Sequence, residues 1–135
     1  GGGYNHRLDL AEGVMFKDNH LTITNGLGQS IQNLKSKHPN KKIQIEVDTH
    51  TQLKNLLNKL PKSIDAILLD NMLPEEVKKC SKLIRHTLPR CFIEVSGGIN
   101  LNNILKYKNL DIDGISIGAI THQATSKNIK FEFKE

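Results

Sequence analysis

The spacing of apolar residues changes several times along this chain, and each change marks an element. From Ile43 to Val47 apolar and polar residues alternate, Ile43-Gln44-Ile45-Glu46-Val47, the period of a strand with one covered face. Leu53, Leu56, Leu57 and Leu60 then recur at helical spacing, and Thr49 and Gln52 have capping-box spacing at the start of that helix. Pro61 stops it. Ile64–Leu69 is nearly all apolar, as suits a strand covered on both faces. The next helix opens on Pro74, a residue at home in the first helical position, with Glu75 and Glu76 at the positive end of the dipole. Val77, Cys80 and Ile84 form its inner stripe, and Pro89 closes it.

The same reading extends in both directions. Val14-Met15-Phe16 is a short strand ending at Lys17. Leu27, Ile31 and Leu34 mark a helix that Thr24 can cap and Pro39 limits. Phe92–Val95 is a strand, followed by Ser96-Gly97-Gly98 and then a short helix expected to be capped by Asn100, with Leu101, Ile104 and Leu105 inside. Ile115–Gly118 ends a fifth strand, and Ile129–Phe133 is a trailing one. Strand starts separated by roughly 20 to 30 residues, with helices between, predict an α/β fold with a parallel sheet. Ile64-Asp65-Ala66-Ile67 and Ile112-Asp113-Gly114-Ile115 enter their strands alike, an internal echo of the repeating unit. No linker interrupts the 135 residues, so a single domain is expected.

Composition narrows the function. Aromatic residues make up only 4% of the chain and Trp is absent, which leaves the core to Ile, Leu and Val. A net charge of +5 favours anionic partners. Its lysines are scattered over helices without the interleaved aromatics of a nucleic-acid groove, so no nucleic-acid partner is expected. No apolar run approaches the roughly 20 residues of a membrane span, and no signal-peptide pattern is present. A cytoplasmic protein without a membrane partner is the expectation. Cys80 and Cys91 form no CxxC, no histidines have HxxxH spacing, and neither a zinc site nor a special role for the thiols is expected.

The polar residues fall at the carboxyl ends of the strands: Lys17, Glu46 and Asp48, Asp70 and Asn71, Glu94 and Ser96, and Gly118. In parallel α/β folds that end holds the site. Charge suggests the roles. Behind the glycines at 1–3, His6 and Arg7 with Lys17 suit a carboxylated substrate. Glu46 and Asp70 offer oxygen ligands to Mg²⁺. Ser96, Gly97, Gly98 and Gly118 can turn backbone N–H groups to a phosphate, with the helix start at Asn100 aimed at it.

Taken in order, GGGYNHR, FKDNH, IEVD, LLDNM, EVSGGI and ISIGAITH resemble quinolinate phosphoribosyltransferase, or nicotinate-nucleotide pyrophosphorylase (carboxylating), over essentially the whole chain. The resemblance implies a partial parallel (β/α) barrel. It implies transfer of phosphoribosyl from phosphoribosyl pyrophosphate to quinolinate, with loss of pyrophosphate and CO₂, giving nicotinate mononucleotide for NAD biosynthesis. Carried over by motif, His6, Arg7 and Lys17 are ligands of the quinolinate carboxylates. Glu46 and Asp70 meet Mg²⁺ and the ribose, and Lys17, Glu46 and Asp70 are the catalytic set. Ser96, Gly97, Gly98 and Gly118 cradle the 5′-phosphate, with His122 near it.

Family members are considerably longer. They begin with a separate N-terminal α/β domain, carry an RKTxPG-like segment before the glycines, and receive an Arg from a neighbouring subunit. Residues 1–135 are therefore expected to be the carboxyl-terminal barrel portion, inactive alone, of a homodimer or an assembly of dimers. Two alternatives stand beside this. One is the molybdenum-transport-associated paralogue, against which KDNH argues. The other is a non-catalytic remnant that binds a phosphorylated ligand.

Overall fold

A five-stranded parallel sheet is the frame of the molecule. The computed structural model describes residues 2–3, 13–17, 26–60 and 64–122. The strands are β1 (Gly13–Phe16), β2 (Lys42–Val47), β3 (Ala66–Asp70), β4 (Phe92–Ser96) and β5 (Gly114–Ile115), paired in chain order. Between them run α1 (Leu27–Lys37), α2 (His50–Lys59) and α3 (Pro74–Thr87), a 3-10 helix at Ile104–Tyr107, and after β5 the short α4 (Ala119–His122). Parallel crossovers share one hand. A strand order that never reverses therefore puts every crossover helix on the same face, which is the arrangement of a barrel wall. Five parallel strands alternating with helices make this an α/β, partial-barrel fold. The trailing strand expected at 129–133 lies outside the described residues.

Strand parity divides the sheet. Ile43, Ile45 and Val47 of β2, Ile67 and Leu69 of β3, and Ile93 and Val95 of β4 are buried in one core with Ile31 of α1, Leu53 and Leu56 of α2, and Val77, Cys80 and Ile84 of α3. The register sets Ile45 opposite Ile67, Ile67 opposite Ile93, and Val95 opposite Ile115, so this apolar face is continuous. Alternate residues point the other way, and they include Lys17, Glu46, Asp70, Glu94, Ser96 and Ser116.

The helices begin and end much as the sequence predicts. Thr49 accepts from Gln52 N at 3.1 Å while the Gln52 side chain accepts from Thr49 N at 3.0 Å, completing the capping box of α2. Pro74 opens α3, and the Leu73 amide donates to Glu76 at 3.3 Å. Two expectations are corrected. Helix α1 starts behind Gly26 with no side-chain cap, and Thr24 lies outside the described residues. Asn100 does not start a helix. Residues 101–103 form a turn, Asn103 precedes the 3-10 helix, and Leu101 and Leu105 are 85% and 76% exposed. Tyr107 takes the buried place, its hydroxyl donating to Met72 O at 3.1 Å.

The echo between the strand entries is a real structural repeat at the amino ends of the sheet. Asp65 accepts from Ile43 N at 2.8 Å and from Lys35 Nζ at 2.7 Å, and Lys35 also donates to Lys41 O at 3.0 Å. Asp113 accepts from Ile93 N at 2.8 Å and from an Arg85 guanidinium nitrogen at 2.7 Å, and Arg85 also donates to Cys91 O at 2.7 Å. In each unit a helix cation and a strand-entry aspartate tie together the starts of two neighbouring strands.

Candidate active site

The carboxyl ends of β2, β3 and β4 bring their polar side chains together. Carboxylate oxygens of Glu46, Asp48 and Asp70 lie within 4.8 Å of one another, all three residues half-buried. Three hard oxygen donors at that spacing fit a hard divalent cation such as Mg²⁺. Lys17, exposed, follows β1 beside this group, because Phe16 pairs with Ile45 and the next residues in register are Lys17 and Glu46.

Asp70 is held from two sides. Ser96 Oγ donates to its Oδ1, and Asn71 Nδ2 donates to its Oδ2 at 2.7 Å. The Asn71 amide also donates to Ser96 O at 3.0 Å. Beyond Ser96 the backbone turns through Gly97 and Gly98 at φ +86 and +62, a left-handed pair that side chains disfavour. A Cβ on Gly97 would meet Asn71 Cγ and N at 2.6 Å, so only glycine fits there. Asn103 Nδ2 donates to Gly98 O at 2.9 Å and fixes the far side of the loop.

One layer deeper on the same face lies Glu94, only 5% exposed. Gln44 Nε2 donates to its Oε2 at 2.6 Å and Ser116 Oγ donates to its Oε1. Ser116 leads to Gly118, where α4 begins, and the His122 ring lies over that glycine, 3.6 Å from where a Cβ would stand. Elsewhere, burial pushes the thiols of Cys80 and Cys91 up to about 11 and about 12, with Glu76 adding to the first, so both stay protonated at neutral pH.

The fold has known counterparts. A family model described as quinolinate phosphoribosyl transferase, C-terminal domain, matches residues 1–132. The chain belongs to that family. A probable nicotinate-nucleotide pyrophosphorylase (carboxylating) of Methanocaldococcus jannaschii is 40% identical over 98% of this chain and 47% of its own length. The Bacillus subtilis protein of the same name is 32% identical over 98% of this chain and 44% of its own. Among solved structures, the nicotinate-nucleotide pyrophosphorylase of Ehrlichia chaffeensis superposes with a TM-score of 0.74 at 35% identity, covering 90% of this chain and 42% of that one. The chain thus spans less than half the length of the relatives it matches.

In this quinolinate phosphoribosyl transferase domain, the residues expected at the site fall into three groups. Lys17, Glu46, Asp70 and Ser96 share one sheet face at its carboxyl end, and Gly97 and Gly98 adjoin them. Gly118 and His122 pack together after β5. His6 and Arg7 lie outside the described residues. The helix dipole expected at Asn100 is absent: its side chain accepts from Asn102 N at 2.9 Å within a turn. Asp48 and Glu94 are the members to which sequence reasoning gave no role. Both carry the parity of Glu46, and an acid inside an otherwise apolar strand, Phe92-Ile93-Glu94-Val95, was the signal available for Glu94.

Proposed function

We propose that this chain carries the phosphoribosyl-transfer site of an enzyme that joins quinolinate to phosphoribosyl pyrophosphate, forming nicotinate mononucleotide, pyrophosphate and CO₂. Membership of the family suggests the reaction. The observation that favours it in this molecule is the single sheet face on which a lysine, clustered carboxylates and a left-handed glycine loop meet.

The groups suit each stage of the chemistry. The quinolinate ring nitrogen forms a bond to ribose C1′ as the C1′–pyrophosphate bond breaks, and the leaving oxygen takes the electron pair. Positive charge on the ribose is stabilised by Glu46 and Asp70, held in place before the reaction begins. The ring then loses the carboxylate beside its cationic nitrogen. Carbon dioxide departs, the electron pair stays on the ring carbon, and a proton from solvent completes the product. Lys17, with His6 and Arg7, serves as the carboxylate clamp, and Ser96, Gly97, Gly98 and Gly118, with His122, as the 5′-phosphate cradle. Glu46, Asp48 and Asp70 are the residues that would hold Mg²⁺, which when bound neutralises charge on the pyrophosphate. A homodimer or an assembly of dimers, working in the cytoplasm, belongs to the same proposal.

Calorimetry with quinolinate, against nicotinate as control, tests the reading, followed by detection of nicotinate mononucleotide and pyrophosphate in a full-length enzyme carrying this domain. Binding of quinolinate and not of nicotinate is the expected result. A folded sample that binds neither overturns it.

A further inference from the structure

Asn71 stands in a conformation that needs a reason. Its φ of +53 makes it the one non-glycine residue in the left-handed region among those described. Side chains enter that region at a cost, and asparagine tolerates it best. Its side chain fills the space beside Gly97, where any Cβ would collide with it. The same side chain donates to Asp70 Oδ2 at 2.7 Å, and its backbone amide donates to Ser96 O at 3.0 Å. Ser96 returns the contact through its hydroxyl to Asp70 Oδ1. Three residues at the ends of β3 and β4, Asp70, Asn71 and Ser96, are thus closed into a ring, with Asn71 supplying two of its three hydrogen bonds and the steric wedge against Gly97.

We propose that Asn71 is a positioning residue that couples the two halves of the site. It fixes the Asp70 carboxylate on the cation and ribose side against the Ser96–Gly98 loop on the phosphate side, so that both meet one phosphoribosyl pyrophosphate in a single geometry. This rests on the proposed function. Asn71 itself touches neither the reacting atoms nor the phosphate; it acts through Asp70 and Gly97.

Asn71→Gly separates positioning from folding. Glycine takes φ +53 without strain, so the backbone turn survives while the amide and the wedge are lost. The melting temperature is expected to stay within about 3 °C of wild type, the shift that less than 1 kcal/mol produces. Affinity for phosphoribosyl pyrophosphate with Mg²⁺, measured by calorimetry, is expected to fall about tenfold, the effect of losing one charge-assisted hydrogen bond. Quinolinate affinity should be unchanged. A variant that binds phosphoribosyl pyrophosphate like wild type overturns the proposal.

A second measurement needs no ligand. Asn71 is exposed, like Asn58, so only its hydrogen bond distinguishes the two: in a ¹⁵N-labelled sample the Asn71 side-chain amide proton bonded to Asp70 should exchange more slowly than those of Asn58, and Asp70→Ala should abolish the difference. Equal exchange in wild type also overturns the proposal. If the lock is seen but wild type binds no phosphoribosyl pyrophosphate, the proposed function itself falls, and the role of Asn71 in it falls too.

Discussion

Asp70 has both carboxylate oxygens engaged, one by Ser96 and one by Asn71, and still lies within reach of Glu46 and Asp48. Each oxygen keeps a free lone-pair direction, so the hydrogen bonds aim the group without using it up. Asp70→Asn removes the charge while keeping the size, and sets an amide N–H against one of two donors. In a full-length enzyme carrying this domain, turnover is expected to fall about 100-fold, the scale of losing a preorganised electrostatic partner. The response to Mg²⁺ should flatten while quinolinate titrations stay as in wild type. Steady-state rates over a range of Mg²⁺, with calorimetry beside them, check this; unchanged rates and metal response would make Asp70 a solvated strand end. The sequence made Asp70 visible because it ends an apolar run. It could not show the ring through Asn71 and Gly97, since that depends on which loop of β3 faces which loop of β4. Nor could it single out Asp48, whose approach to Asp70 depends on the register that sets Val47 of β2 opposite Leu69 of β3.

Two aspartates of the same kind do different work at the other end of the strands. Burial raises the Asp65 pKa, but hydrogen bonds from Lys35 and Ile43 and the charges of Lys35 and Lys42 outweigh it, and the group ends below 3.8. Asp113 is likewise raised by burial and more than offset by Arg85 and the Ile93 amide. A carboxylate with a depressed folded pKa contributes stability that is full above its unfolded pKa of about 3.9 and is lost as pH falls through the folded value. Asp65→Asn with Asp113→Asn should therefore cost stability at pH 7, by about 1 kcal/mol per site after solvent screening. That deficit should shrink as pH falls below about 4, where the unfolded chain takes up its protons first and the folded carboxylates follow at their lower pKa. Urea unfolding at pH 7, 5 and 3.5 reads it, and a deficit independent of pH would assign the loss to packing. The repeated Ile-Asp entry was legible in the sequence; its partners were not, because Lys35 and Arg85 are two among many exposed-looking helix cations. Legibility also failed between Asn100 and Asn103. Either asparagine can cap, and periodicity is a poor guide to a helix of four residues, so Leu101 and Leu105 were expected inside when Tyr107 is.

At the scale of the molecule, the alternation of β2, the capping box of α2 and Pro74 of α3 were enough to order the elements, because each is decided locally. The monotonic strand order was not written in any one segment. It follows from where the crossovers pack, and it leaves β2, β3 and β4 paired on both sides while, among the described residues, β1 and β5 each have one neighbour. The core is concentrated accordingly: Ile45, Val47, Ile67, Leu69, Ile93 and Val95 are fully buried, whereas β5 has two residues and no buried side chain. Opening free energies follow buried contacts and ladder bonds, so stability should fall from the middle of the sheet towards the α4 side. Native-state hydrogen exchange should show the slowest amides in β3 and β4, intermediate ones in β2, and fast exchange across Ala119–His122. The glycine loop joins the most protected strand to a turn held by Asn103, so inorganic pyrophosphate with Mg²⁺ should slow exchange at Gly97 and Gly98 while leaving β3 unchanged. Protection in β5 and α4 equal to that in β3 would contradict the packing order. An unchanged Gly97 and Gly98 at saturating pyrophosphate would remove the loop from the phosphate side of the site.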